Sequence, residues 1–161
     1  MKRLVFILAL LLTGITVNAQ LPSVQLKTLD GKVVDTSKLS NDGKPFVISF
    51  FATWCKPCIR ELKAINEYYA DWQEETGMKI YAISIDKAQN VSRVKPLVEG
   101  DGWEYEVLLD TNEDFKRAMG VQMIPYLMII DGQGNIVETR NGYTDGSEMH
   151  IIEKIRELEN K

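Results

Sequence analysis

The sequence is poor in the residues from which metal sites are built, with two cysteines and one histidine among its 161 residues. A structural zinc site needs four nitrogen or sulfur ligands, and Cys55, Cys58 and His150 supply at most three. The sequence also lacks any motif of the kind that binds NAD or flavin. We therefore expect neither a metal ion nor an organic cofactor.

Clusters of positive charge are also missing. The formal net charge is −4 at pH 7, and lysine and arginine are scattered along the chain. Such a surface argues against nucleic acid and anionic membrane surfaces as partners, and solubility is the simplest interpretation of the charge. No internal repeat, low-complexity stretch or proline-, glycine- or serine-rich linker divides the chain. The sequence therefore predicts a single folded domain.

The longest apolar stretch lies at the N-terminus. Lys2 and Arg3 precede an apolar run over residues 4–12, and residues 17–19 read Val-Asn-Ala, a small-residue cleavage site. This arrangement predicts a signal peptide over residues 1–19 and export to the periplasm or cell envelope. An uncleaved membrane anchor is the alternative. Cleavage would leave residues 20–161, which are 142 residues with a formal net charge of −6 and the size of one domain.

Both cysteines fall within four residues of each other. Residues 46–52 form an apolar run that predicts a buried strand, which leads to Cys55 and Cys58 at the start of a helix. Two cysteines three residues apart on a first helical turn share one face and can bridge. The positive end of the helix dipole, with Lys56 beside Cys55, stabilises a thiolate. The pattern predicts redox chemistry. A structural disulfide is the alternative, although so short a loop would contribute only about 2 kcal/mol.

The remaining elements alternate between strands and helices. Two short alternating runs around Asp30-Gly31 predict an opening hairpin. Further strands are expected at residues 46–51, 79–85, 105–109, 127–130 and 136–140. Helices are expected from Cys55 to Gly77, over residues 91–99 with a kink or a start at Pro96, from Asn112 to Gly120, and from Asp145 onward with Glu148 in a capping box. This order predicts an α/β sandwich with a mixed sheet.

Two motifs carry a resemblance to a known family. The chain combines Trp54-Cys55-x-Pro57-Cys58 at a strand–helix junction with Ile124-Pro125 before a later strand. It resembles thioredoxin-fold proteins and, more narrowly, the exported TlpA/ResA-like thiol–disulfide oxidoreductases. The resemblance extends over nearly all of residues 20–161. It implies a thioredoxin-like three-layer sandwich, with a mixed central sheet, helices on both faces and an N-terminal hairpin extension.

The resemblance also implies roles for particular residues. Cys55 corresponds to the exposed nucleophile and Cys58 to the buried resolving thiol. Pro125 corresponds to a proline whose preceding bond is cis, which leaves the backbone of Ile124 free to pair with a substrate strand. Glu61 matches an acidic residue that ResA-like proteins use near the buried thiol. An ordinary helix-dipole role is the alternative for Glu61.

The surroundings of the cysteines include one departure from typical thioredoxins. Those proteins carry a buried aspartate six residues before the first cysteine, and Ser49 stands there in this chain. Proton transfer would then depend on Glu61 or water. Trp54, Lys56 and Pro57 are expected to contact substrates. Trp54 as a core residue and Lys56 as a solvated side chain of little effect are the alternatives.

We therefore predict an extracytoplasmic thiol–disulfide oxidoreductase that mainly reduces disulfides in client proteins. Because no cofactor is expected, electrons would have to come from another protein, and the family suggests a thiol-transferring donor in the membrane. The family also suggests apocytochrome c among the clients, hence a part in cytochrome c maturation. A monomer is expected. The alternatives are a dithiol oxidase or isomerase, a binding module with a static disulfide, and a peroxidase.

Overall fold

A computed structural model of the protein describes residues 21–160. The predicted signal peptide lies outside the described residues. The strands are β1 (Gln25–Thr28), β2 (Val33–Asp35), β3 (Phe46–Phe51), β4 (Lys79–Ser84), β5 (Glu106–Leu109), β6 (Tyr126–Ile130) and β7 (Ile136–Asn141). The helices are α1 (Lys56–Thr76), α2 (Val94–Asp101), α3 (Asp114–Ala118) and α4 (Met149–Glu159).

All seven strands form one mixed sheet in the order β2-β1-β5-β4-β3-β6-β7. Strands β3, β4 and β5 are parallel, whereas β6 and β7 continue one side and β1 and β2 the other in antiparallel pairs. The predicted opening hairpin is confirmed as β1 and β2, paired from Gln25↔Asp35 to Lys27↔Val33. Within residues 21–160, no helix combines the length and apolar character needed to cross a membrane.

Two adjacent phenylalanines on β3 point to opposite faces of the sheet. Successive strand residues point to opposite faces. The Phe50 ring packs against Phe115 of α3, and the Phe51 ring packs against Trp103, which follows α2. The Tyr105 ring packs against Trp103, and its hydroxyl donates a hydrogen bond to a carbonyl of α1, so that helix lies on the Phe51 face. The predicted three layers, with helices on both faces of a mixed sheet, are confirmed.

Helix α1 begins and ends where the sequence predicted. Cys55 is its N-cap, and Pro57 occupies the first turn, where a missing N–H costs no hydrogen bond. Gly77 ends the helix at φ 67°, a left-handed conformation that glycine adopts without strain. The helix buries one face in the core, formed by Leu62, Ile65, Tyr69 and Trp72.

Helices α3 and α4 start later than predicted. Asn112 does not cap α3; the Asp110 carboxylate does, because it accepts hydrogen bonds from the N–H groups of Phe115 and Lys116 at 3.2 and 2.8 Å. Helix α4 starts at Met149, not at Asp145.

The predicted capping box at Asp145 does not form. Residues 144–147 make a turn in which the Ser147 N–H donates to the Thr144 carbonyl and Gly146 has φ 89°, so the helix cannot begin before the turn. Glu148 instead accepts a hydrogen bond from the Tyr143 hydroxyl at 2.9 Å. The helix expected over residues 91–99 was predicted to be kinked or to begin at Pro96. The break lies earlier, because a 3₁₀ turn at Val91–Arg93 precedes α2, which starts at Val94.

Candidate active site

The two cysteines form a disulfide at the start of α1. Their Cα atoms are 5.3 Å apart, and the Cys58 N–H points at the Cys55 Sγ at 3.4 Å. Cys55 keeps 6% of its surface exposed, whereas Cys58 is fully buried. This asymmetry gives partners access to the first sulfur and not to the second.

The residues around the disulfide form a solvent-facing rim. Trp54, immediately before Cys55, is 59% exposed, which excludes the core alternative for this tryptophan. Lys56 is exposed and Pro57 is half-buried. The order of burial along the motif therefore leaves an aromatic ring and a cation beside the accessible sulfur.

A tight turn holds Cys55 in place. The Cys55 N–H donates to the Ala52 carbonyl at 3.0 Å and so closes a four-residue turn after β3. Thr53 within that turn is bound by Asp86, which accepts from the Thr53 N–H at 2.8 Å and from the Thr53 hydroxyl at 2.7 Å. In the sequence, Asp86 is simply the residue that follows the predicted strand at residues 79–85. The contact with Thr53 was missed because it joins segments that are distant in the chain.

Glu61 lies beneath the disulfide end of α1. It stands three residues after Cys58, a spacing that puts both side chains on one helix face, and it is only 5% exposed. Ser49, on the neighbouring strand β3, donates a hydrogen bond to the Glu61 carboxyl group at 3.5 Å. The serine that replaces the aspartate of typical thioredoxins thus meets an acidic group supplied by the helix.

Burial raises the pKa of Glu61 to about 7, because a carboxylate loses hydration when it leaves water. The charge of Arg140 and the Ser49 hydrogen bond oppose this rise, and the charge of Glu148 adds to it. A carboxyl group with this pKa can both give and take a proton near neutral pH. The helix-dipole alternative accounts for neither the burial nor the raised pKa.

The sequence did not identify Arg140 and Glu148 as neighbours of Glu61. Arg140 lies near the end of β7 and donates to the Ser147 carbonyl at 2.7 Å, and Glu148 precedes α4. Neither residue stands near the Cys-x-x-Cys motif in the chain. Only the folded structure, in which α4 contacts α1 and β7 pairs with β6, brings their charges near Glu61.

The bond between Ile124 and Pro125 is cis, as predicted. Pro125 is buried and Ile124 half-buried at the start of β6, and the neighbouring Met123 is 63% exposed. The expected pairing of the Ile124 backbone with a substrate strand stays a prediction. No group of three or more histidine, cysteine, aspartate or glutamate side chains in residues 21–160 is arranged to hold a metal ion.

Comparison with known proteins identifies the family. The AhpC/TSA family model matches residues 17–139. The chain belongs to this family. The thiol–disulfide oxidoreductase ResA of Bacillus anthracis is 30% identical over 122 residues, which cover 76% of this chain and 68% of the relative. The predicted resemblance to ResA-like thiol–disulfide oxidoreductases is thereby confirmed.

Solved structures agree with the fold. A thioredoxin-like protein from Porphyromonas gingivalis is 63% identical with a TM-score of 0.77, and the match covers 87% of this chain and 92% of that one. A DsbE thiol:disulfide interchange protein from Chlorobium tepidum is 22% identical with a TM-score of 0.74, over 86% of this chain and 94% of its own. At that identity the second likeness supports the fold alone.

Proposed function

We propose that this member of the family is an extracytoplasmic reductase of client-protein disulfides. The observation that carries the proposal is the arrangement of one accessible and one buried sulfur above a buried carboxyl group. The accessible sulfur of Cys55 can meet a client, and the buried sulfur of Cys58 can meet only Cys55. A static disulfide would need neither this asymmetry nor Glu61.

The reaction starts from the reduced dithiol. The Cys55 thiolate attacks one sulfur of a client disulfide, a mixed disulfide forms, and the second client sulfur leaves as a thiolate. Cys58 then attacks the Cys55 sulfur, the Cys55–Cys58 bond forms, and the first client sulfur leaves. The dithiol loses two electrons and the Cys58 proton, the client gains the two electrons, and the two client thiolates take up protons from water.

Glu61 serves the second step. Cys58 must lose its proton to attack, and it shares a buried helix face with Glu61. The Glu61 carboxylate accepts this proton as the Cys55–Cys58 bond forms, and with a pKa of about 7 it can release the proton again near neutral pH. The Ser49 hydroxyl holds the carboxyl group from the sheet side.

The rim around Cys55 receives the client. Trp54 offers a large exposed ring immediately before Cys55, and the exposed Lys56 and half-buried Pro57 follow it in the chain. The backbone of Ile124 before Pro125 pairs with an extended client segment, in the way that strands add to exposed backbone in other peptide complexes. Apocytochrome c is one client of suitable chemistry, because its cysteines must be reduced before haem attaches.

The proposal includes a location and an electron source. Residues 1–19 direct export, residues 20–161 form the working domain, and the domain acts as a monomer. Outside the cytoplasm the dithiol must be regenerated, and a membrane protein that transfers electrons through its own thiols would do so.

The reduction potential of the Cys55–Cys58 pair tests the direction of electron flow. Proline as the second residue between the cysteines donates no N–H to the Cys55 sulfur, and Lys56 is exposed, so thiolate stabilisation is moderate. We expect a potential of about −220 to −280 mV, on the reducing side of the thioredoxin-fold range. Equilibration of residues 20–161 with glutathione, followed by alkylation and mass measurement, gives the value.

A potential above about −180 mV would overturn the proposed reductase function and favour the oxidase or isomerase alternative. Failure of the pair to equilibrate with glutathione at all would favour the static binding module. Turnover of hydrogen peroxide by the wild-type protein, absent in a Cys58→Ser variant, would favour the peroxidase.

A further inference from the structure

Asp86 is a fully buried carboxyl group that the proposed reaction does not use. It follows β4 and lies at the carboxyl end of the parallel strands, the same end at which β3 leads to the disulfide. In the described part of the chain, residues 21–160, no lysine, arginine or histidine forms an ion pair with it. A buried carboxyl group without a cation needs another explanation, because burial of a charge is costly unless hydrogen bonds compensate.

The hydrogen bonds supply that compensation. One oxygen of Asp86, Oδ2, accepts from the Thr53 N–H at 2.8 Å and from the Ser84 hydroxyl at 2.9 Å, and Oδ1 accepts from the Thr53 hydroxyl at 2.7 Å. The Ser84 hydroxyl oxygen is itself bound by the Asp86 N–H at 3.1 Å, so its own proton is free to donate. Both carboxyl oxygens act as acceptors, which is the pattern of an ionised carboxylate.

These contacts end in the turn that carries the reactive cysteine. The turn is closed by the Cys55 N–H on the Ala52 carbonyl, and Thr53 is its second residue. Asp86 holds both the backbone and the side chain of Thr53, two residues before Cys55. The neighbouring pairing of the Ile85 N–H with the Phe51 carbonyl at 2.9 Å fixes the two strand ends relative to each other.

We infer that Asp86 is a positioning residue for thiol–disulfide exchange, which holds the Cys55 turn and, through its negative charge, biases the pair towards the disulfide. The bias follows because a nearby negative charge opposes formation of the Cys55 thiolate and leaves the uncharged disulfide unaffected. The inference deepens the proposed reductase function and rests on it, since a pair biased towards the disulfide is a better electron donor when reduced.

Other charged groups near the turn are unchanged by a substitution at Asp86. Lys56 follows Cys55, Glu61 faces Cys58, and Lys87 next to Asp86 is paired with Glu113 at 3.3 Å. Comparison of variants that differ only at Asp86 therefore isolates its contribution. Asp86→Asn keeps the size of the side chain, removes the charge and leaves a single acceptor oxygen.

Asp110 offers a matched control. It is also a buried aspartate directly after a parallel strand, but its carboxylate caps α3 and does not contact the Cys55 turn. We expect Asp86→Asn to shift the equilibrium with glutathione towards the dithiol by about threefold or more, and to lower the pH midpoint of Cys55 alkylation by roughly half a unit. Asp110→Asn should lower the urea midpoint and change neither quantity.

If Asp86→Asn does not fold, Thr53→Ala tests the same contact from the other side. It removes the donor to Oδ1 and keeps the charge. It should lower the urea midpoint, because one oxygen of a buried carboxylate loses its donor, and in the folded protein it should slow the attack of the Cys55 thiolate on a small aromatic disulfide about twofold or more.

The inference is overturned if Asp86→Asn and Asp110→Asn behave alike, with lost stability and unchanged redox equilibrium, or if Thr53→Ala attacks at the wild-type rate. A wild-type protein that does not exchange with glutathione would instead overturn the proposed function itself.

Discussion

Replacement of Glu61 by glutamine makes the sharpest test of the site, because it predicts opposite effects on stability and on catalysis. Glutamine keeps the size of the side chain and can still accept the hydrogen bond from Ser49. It cannot ionise. The variant therefore removes the cost of a buried charge and the proton carrier together.

The magnitude follows from the raised pKa. The usual value for this group is 4.5, and burial raises it to about 7. At about 1.4 kcal/mol per unit, this difference corresponds to roughly 3 kcal/mol. Between these two pKa values the folded protein holds a proton that the unfolded chain has lost. The free energy of unfolding of the wild type should therefore fall as pH rises from about 4.5 to above 7, by up to about 3 kcal/mol from this group.

Urea unfolding of the oxidised proteins measures the effect without any contribution from the thiols. At about pH 4.5, wild type and Glu61→Gln should be close in stability. At about pH 8 the variant should be the more stable by about 1–3 kcal/mol, because only the wild type then carries the buried charge. Glu67→Gln is the matched control on the exposed side of α1 and should leave the pH profile unchanged.

Catalysis should change in the other direction. The mixed disulfide should be resolved more slowly in Glu61→Gln, and the rate should lose its dependence on a group that titrates near pH 7. Parallel stability profiles for the wild type and Glu61→Gln would contradict the buried charge. Identical pH–rate profiles for the wild type and Glu61→Gln would show that Glu61 has no role in proton transfer.

The remaining predictions concern the thiols and one close backbone contact. Cys58→Ser should accumulate mixed disulfides with clients, visible on non-reducing gels, whereas Cys55→Ser should form none. Alkylation of the reduced wild type should label Cys55 first, because Cys58 is fully buried. Labelling of Cys58 first would reverse the assigned roles. Gly132→Ala should destabilise the fold by about 2 kcal/mol or more, since its Cβ would stand 1.9 Å from the Gly43 carbonyl oxygen. Gly100→Ala, in α2 with open space around it, is the control and should not lower the urea midpoint.

The sequence by itself determined the local features of this protein. The apolar run of β3, the cysteine spacing and Gly77 predicted the active-site helix with its correct start and end, because caps and periodicity depend on neighbours in the chain. The cis bond before Pro125 was also predicted, through the resemblance and not through spacing. Where two local patterns competed, the sequence was less reliable: Asp145 and Glu148 have the spacing of a capping box, but the turn at Gly146 delays α4.

Only the tertiary structure decided which residues surround Glu61 and the Cys55 turn. Glu61 is identifiable in the sequence, but its raised pKa depends on burial against β3 and on the charges of Arg140 and Glu148, which arrive from β7 and the start of α4. The hydrogen bond from Thr53 to Asp86 likewise forms because β3 and β4 lie side by side in the sheet. Burial and through-space charge depend on which distant segments pack together. A local sequence pattern does not specify that packing. For this reason the sequence predicted the redox chemistry of the motif but not the raised pKa of Glu61 or the contact between Asp86 and Thr53.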